Sequence, residues 1–149
     1  MPHPNFEIAG QVVVVTGAGR GLGAALAEGF AAAGARLAVG DINAESAEAT
    51  AERLRASGAE AVACGCDIRD PAQVQGLLDR ALAAFGRLDV LVNNAGVNIP
   101  KPAEELTLEE WDRIVGTNLT GTFICCQAGG AIMLRQGSGC IINICSVHG

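Results

Sequence analysis

The sequence predicts an α/β fold in which a parallel sheet carries helices on both faces. Two observations predict it. Short apolar, β-branched runs alternate with helical patterns along the chain, and such alternation calls for right-handed crossovers between parallel strands. The first run, Val12-Val13-Val14-Val15, leads straight into Thr16-Gly17-Ala18-Gly19-Arg20-Gly21-Leu22-Gly23 and then into a helix. An all-valine run suits a strand buried on both faces. Four glycines within seven residues exceed what a tight strand-to-helix turn needs. They let backbone approach a phosphate closely, beside a helix N-terminus with free N–H groups and a positive dipole end. The turn reads as a nucleotide site.

The other elements follow in order. Leu22, Ala25, Leu26, Gly29, Phe30 and Ala33 recur at helical spacing, and Gly34 stops that helix. Residues 36–40 form a second strand ending at Asp41; Asn43 caps a helix through Ala56, closed by Gly58. Residues 60–66 form a third strand ending at Asp67. Asp70 and Pro71 open a helix that Gly86 ends, with Gln73 placed for a capping-box return. Residues 88–92 form a fourth strand, followed by Asn93-Asn94-Ala95-Gly96. Thr107 and Glu110 make a capping box that starts a long helix to about Arg135, with kinks or close packing expected at Gly116, Gly121, Gly129 and Gly130. Residues 139–145 form a fifth strand, apolar on both faces. By analogy with dinucleotide-binding folds, the sheet is Rossmann-type and doubly wound, in the order 3-2-1-4-5. Residues 1–149 read as one domain, truncated after the fifth strand and so incomplete at the C-terminus.

Composition narrows the function. Ten basic residues, nine of them Arg, face sixteen acidic ones for a formal charge of −6. No basic stripe follows a phosphate backbone, so nucleic acid is not the expected partner. Residues 1–10 lack a signal-peptide pattern and no apolar run has membrane-spanning length, so no membrane is expected and a cytoplasmic location is. The six cysteines lie in or beside apolar runs without zinc spacing, so free buried thiols and no metal are expected.

Thr16-Gly17-x-x-x-Gly21-x-Gly23, Asp67, Asn93-Asn94-Ala95-Gly96, Asn118 and Ile142-Asn143-Ile144-Cys145-Ser146 stand in this order. Together they resemble the short-chain dehydrogenase/reductase family, from about residue 8 onward. The resemblance implies hydride transfer between NAD(P) and a small alcohol or carbonyl substrate. Gly17, Gly21 and Gly23 would shape the pyrophosphate loop, flanked by Arg20 and Leu22. Asp67 and the Ile68 backbone would meet the adenine. Asn93, Asn94, Ala95 and Gly96 would hold the central sheet and border the ribose. Asn118 would anchor a relay water, and Ser146 would hydrogen-bond the reacting oxygen, with Cys145 where the family often has another Ser. The helix from Thr107 resembles one used for dimer packing, which implies a homo-oligomer in the full-length form.

Asp41 stands 24 residues after Gly17, where an acidic side chain accepts ribose hydroxyls and repels a 2′-phosphate. Arg20 pulls toward NADP, as basic residues there do in the family. NAD is therefore the expected cofactor, with NADP possible. The resemblance also implies a Tyr general acid with a Lys four residues on. This chain has no Tyr, and its one Lys is Lys101, in a loop after strand four. His3 and His148 are the other proton-transfer candidates. The expectation is the N-terminal part of a dehydrogenase, inactive alone; the alternative is a non-catalytic nucleotide-binding module or shortened paralogue.

Overall fold

The valine run sits at the centre of the sheet. The computed structural model describes residues 7–146; His3 and His148 lie outside them. Five strands, β1 (Val12–Thr16), β2 (Arg36–Asp41), β3 (Ala61–Gly65), β4 (Val90–Asn93) and β5 (Cys140–Asn143), pair in parallel in the order β3-β2-β1-β4-β5. The expected doubly wound order is the observed one. Every β1 side chain is buried, and successive valines serve opposite faces. Val13 and Val15 pack with Leu37, Val39 and Leu54 under α1 (Gly21–Ala32) and α2 (Ala44–Ala56). Val14 packs with Leu77, Leu78 and Leu91 under α3 (Pro71–Phe85) and a C-terminal helical segment. The order reverses between β1 and β4, and a crevice opens there beyond the strands' C-terminal ends.

Several local expectations are corrected. Helix α1 buries Gly23, Ala24 and Ala27, while Leu22 is 58 % exposed. Small residues bring this helix closer to the sheet than leucines would allow, so the large apolar side chains flank the contact. The fifth strand is Cys140–Asn143 rather than 139–145, because β4 offers only four residues to pair with. As the sheet's edge, β5 leaves Cys140 and Cys145 exposed, unlike buried Cys66 and Cys125; all six thiols are free. Asp70 caps α3 through the Ala72 N–H, but the Asp70 N–H is taken by the Asp67 carbonyl. Gln73 instead accepts from the Asp67 N–H at 2.9 Å and donates to the Asp70 carboxylate.

The helix after Thr107 is three segments. Its capping box with Glu110 is formed, α4 runs Leu108–Val115, a π-helical turn spans Gly116–Gly121, and α5 runs Thr122–Gln136. A Cβ on Gly121 would lie 2.7 Å from Ile68, and one on Gly129 2.7 Å from Leu91. Gly130 meets nothing within 4 Å, so only two of its four glycines serve tight packing. Among the described residues no helix is long and apolar enough to cross a membrane.

Gly129 and Gly130 make an internal control. Gly129→Ala crowds buried Leu91 and is expected to cost about 1–3 kcal/mol. Gly130→Ala is expected to gain up to about 1 kcal/mol from helix propensity. Urea denaturation of both variants checks the difference in sign.

Candidate functional site

Thr16, the last residue of β1, ties two strand ends together. Its hydroxyl donates to the Val92 carbonyl at 3.4 Å and accepts from the Asn94 and Ala95 N–H groups, each at 3.2 Å. The Asn94 amide returns the contact, donating to the Thr16 and Gly17 carbonyls at 3.0 and 3.1 Å. The glycines are required by this closeness. Gly17 has φ +64°, and a Cβ there would meet the Ala95 backbone at 2.7 Å. A Cβ on Gly23 would sit 2.2 Å from the Gly17 carbonyl oxygen and 2.5 Å from Asn94 Nδ2. Gly21, φ +57°, faces open space. Arg20 is the N-cap of α1 in extended conformation, with no side-chain cap.

At the ends of β2 and β3 two carboxylates are held by backbone. Asp41 Oδ2 accepts from the Gly19 N–H and Oδ1 from the Asn43 N–H, both at 2.9 Å. Asp67 is chelated by Arg69: the Arg69 N–H and Nε meet Oδ1 at 3.0 Å, and Nη2 meets Oδ2 at 2.6 Å. These hydrogen bonds hold the Asp67 carboxyl below the usual carboxylate range, against burial, which raises it. Beneath it, burial pushes the Cys66 thiol up to about 12, so this sulfur is not a nucleophile at neutral pH.

One cleft of about 510 Å³ collects these groups. From the turn come Gly17, Arg20, Gly21, Leu22 and Gly23; from the β2 and β3 ends come Asp41, Asp67 and Ile68. Asn94, Ala95 and Gly96 supply the wall after β4. All the residues expected to hold a cofactor therefore border a single space. Neither catalytic candidate lines it, although Asn118 stands directly behind Gly96 and Val97 of its wall. The Asn118 amide, in the π turn, closes a two-bond clasp on Val97: Oδ1 accepts from its N–H at 2.8 Å and Nδ2 donates to its carbonyl at 2.9 Å. Ser146 is exposed, beyond the C-terminal end of β5, and does not line the cleft. Asn93 is buried and bridges the strand ends, donating to Asn143 Oδ1 at 2.8 Å. Lys101 is paired with Glu110.

The family model for short chain dehydrogenase matches residues 11–149. The chain belongs to the short-chain dehydrogenase/reductase family. D-threitol dehydrogenase of Mycolicibacterium smegmatis is 48 % identical over 142 residues, which are 95 % of this chain and 55 % of that one. The 3-oxoacyl-[acyl-carrier-protein] reductase of Synechocystis is 41 % identical, over 93 % of this chain and 57 % of its own length. A short-chain dehydrogenase/reductase from Burkholderia phymatum, solved in complex with NAD, superposes with a TM-score of 0.92 at 39 % identity. That match covers 95 % of this chain and 51 % of the solved one. The chain spans about half the length of the curated relatives it matches.

Sequence reasoning missed several cleft residues of this short-chain dehydrogenase chain. Arg69, Arg113 and Thr117 border the space, as do Ile42 and Val97. Arg113 and Thr117 stand four apart, so helical spacing alone places them on one face. Arg69 follows Asp67 by two, the spacing at which an Asp side chain caps a backbone N–H. Thr16 belongs to the glycine motif, and its hydroxyl's three bonds carry no sequence signal.

The Asp67–Arg69 pair has a pH signature. A carboxylate whose folded value is depressed adds stability above its ordinary value and loses it as pH falls through the folded value. Arg69→Met is therefore expected to raise the Asp67 titration midpoint toward the usual carboxylate range. Carboxyl-carbon NMR titration of parent and variant checks it, an unmoved midpoint contradicting the pairing.

Proposed function

We propose that the protein is an NAD(P)-dependent oxidoreductase that moves a hydride between a nicotinamide dinucleotide and a small alcohol or carbonyl substrate, with NAD preferred over NADP. The observation that carries this is the single cleft, with a glycine turn at one end and Asp41 and Asp67 at the other. The residues fit a dinucleotide. Gly21 leaves space where a side chain would intrude, and Gly17 and Gly23 let the turn close against β4's end. The first N–H groups of α1, which begins at Gly21, would meet the phosphate oxygens. Gly17, Gly21 and Gly23 would hold the pyrophosphate, with Arg20 and Leu22 flanking it. Asp67 and Ile68 would hold the adenine, and Asn94, Ala95 and Gly96 the adjoining ribose.

Asp41 supports the NAD preference. Each of its oxygens accepts one backbone N–H, which leaves further lone pairs for ribose hydroxyls. A fixed anion at that place repels a 2′-phosphate, whereas Arg20 is exposed and free to face solvent. When bound, the nicotinamide supplies or accepts the hydride. Ser146 would then hydrogen-bond the reacting oxygen, and Asn118 would take part in proton relay from the π turn. There is no Tyr, and Lys101 is paired with Glu110, so residues 1–149 lack the Tyr and Lys pair that would serve that oxygen and leave His3 and His148 as the other donors. Such assistance is typically worth about 10²–10⁴ in rate. A cytoplasmic homo-oligomer, packed through the exposed apolar face of Leu108, Trp111, Leu119 and Phe123, completes the reading.

Calorimetric titration tests it. NAD(H) is expected to bind at least about tenfold tighter than NADP(H), about 1.4 kcal/mol. Asp41→Ala should narrow that gap and Gly23→Ala should abolish binding of both. Equal or tighter NADP(H) binding by the parent overturns the role of Asp41. In the same preparation, alcohols and carbonyls should give no nicotinamide absorbance change above blank.

A further inference from the structure

Four α2 residues, Ala47, Thr50, Ala51 and Leu54, are buried, and Thr50 is the one polar side chain among them. At 0 % exposure its hydroxyl needs partners inside the protein. It has two. Thr50 Oγ1 lies 3.2 Å from the Gly19 carbonyl oxygen and 3.2 Å from Arg53 Nη2. A guanidinium only donates, so the hydroxyl oxygen accepts from Arg53 and its proton points at Gly19. The chemistry of Arg53 thus sets the direction of the Thr50 hydroxyl.

Gly19 is gripped from its other side as well. Its N–H donates to Asp41 Oδ2 at 2.9 Å, and a Cβ there would strike Ser46 Cβ at 2.7 Å. The turn therefore rests on α2 at Gly19. In a trans peptide the C=O and the next N–H point in opposite directions, and there is no cis peptide among the described residues. With the Gly19 C=O turned onto α2, the Arg20 N–H turns away from it. That N–H has no partner among the described residues, and Arg20 borders the cleft.

We infer that Thr50, held by Arg53, is a positioning residue for phosphate recognition: its buried hydroxyl clamps the Gly19 carbonyl and so aims the Arg20 N–H at the pyrophosphate of a dinucleotide. This rests on the dinucleotide reading of the cleft. Thr50 touches neither cofactor nor substrate; it acts through one peptide plane of the turn. A purely structural buried Thr would stabilise the fold without favouring phosphate-bearing ligands over others.

Titrating parent, Thr50→Val and Thr50→Ser with ADP-ribose and with adenosine separates the two roles. Valine keeps the volume and removes the hydroxyl. Loss of one such hydrogen bond is expected to raise the Kd for ADP-ribose about three- to tenfold. Adenosine, which has the ribose and base but no phosphate, should bind all three alike, and Thr50→Ser should match the parent. Arg53→Met, which frees the hydroxyl to rotate and otherwise breaks an exposed ion pair with Glu28 and an exposed hydrogen bond to the Ala49 carbonyl, should weaken ADP-ribose in the same direction. It stands in should Thr50→Val not fold. Equal losses for ADP-ribose and adenosine, or no loss for ADP-ribose, overturn the assignment. Amide exchange at Gly19 in the ligand-free protein gives a readout independent of the cofactor. It should quicken in Thr50→Val or Arg53→Met, and unchanged exchange also overturns the assignment. Failure of the parent to bind ADP-ribose, with Gly19 exchange still dependent on Thr50, would instead remove the dinucleotide reading.

Discussion

The structure depends on how closely two strand ends approach each other at the switch point of the sheet. Thr16 and Asn94 exchange hydrogen bonds across the ends of β1 and β4 through both side chain and backbone. Gly23 and Ala95 press on Gly17 from either side. Any Cβ at Gly23 would have to displace backbone rather than a flexible side chain. The glycines are therefore a consequence of the crossing, and the free helix N-terminus they expose is what the crossing makes available to a ligand. Burial follows the same centre, since β1 feeds both halves of the core by turns.

From that knot the cleft is built outward by side chains that bind backbone. Asp41 holds Gly19 and Asn43, Asp67 is held by Arg69, and Asn118 holds Val97. None of these polar groups is left to solvent alone, so each arrives at the cleft already oriented. Preorganisation of this kind lowers the ordering cost of binding. The two carboxylates nevertheless differ. Asp67 is neutralised by an adjacent guanidinium, whereas among the described residues Asp41 accepts only from N–H groups and has no cationic partner. The cleft's net anionic point thus lies at Asp41.

Strand order and the turn were legible because buried parallel strands and phosphate-binding turns use few residue types. The packing face of α1 was not: the pattern of Leu22, Ala25 and Leu26 pointed one way, and the sheet selected Gly23, Ala24 and Ala27 because they permit close approach. Gly19 illustrates a second limit. It belongs to the glycine cluster, yet its neighbours Asp41, Ser46 and Thr50 lie 22 to 31 residues on, and only the fold brings them together. Arg69 and Arg113 were invisible for a different reason. An exposed arginine near a helix start or on a helix face is ordinary, and membership of the cleft is a property of the assembled loops.

The π turn shows how one local irregularity serves two loops at once. Ile68 lies against Gly121 and Arg69 against Gly116, so the turn's two glycine ends seat consecutive residues of the loop after β3. Between them Asn118 clasps Val97 of the loop after β4. Both walls at this end of the cleft are therefore fastened to the same six residues. A π turn carries one residue more than an α turn over the same span. Removing that residue would return the turn to α geometry and change the phase of the side chains within it. Gly116, Asn118 and Gly121 could then no longer all face Arg69, Val97 and Ile68 at once. The wide turn, rather than any single side chain in it, keeps the loops after β3 and β4 in register across the cleft.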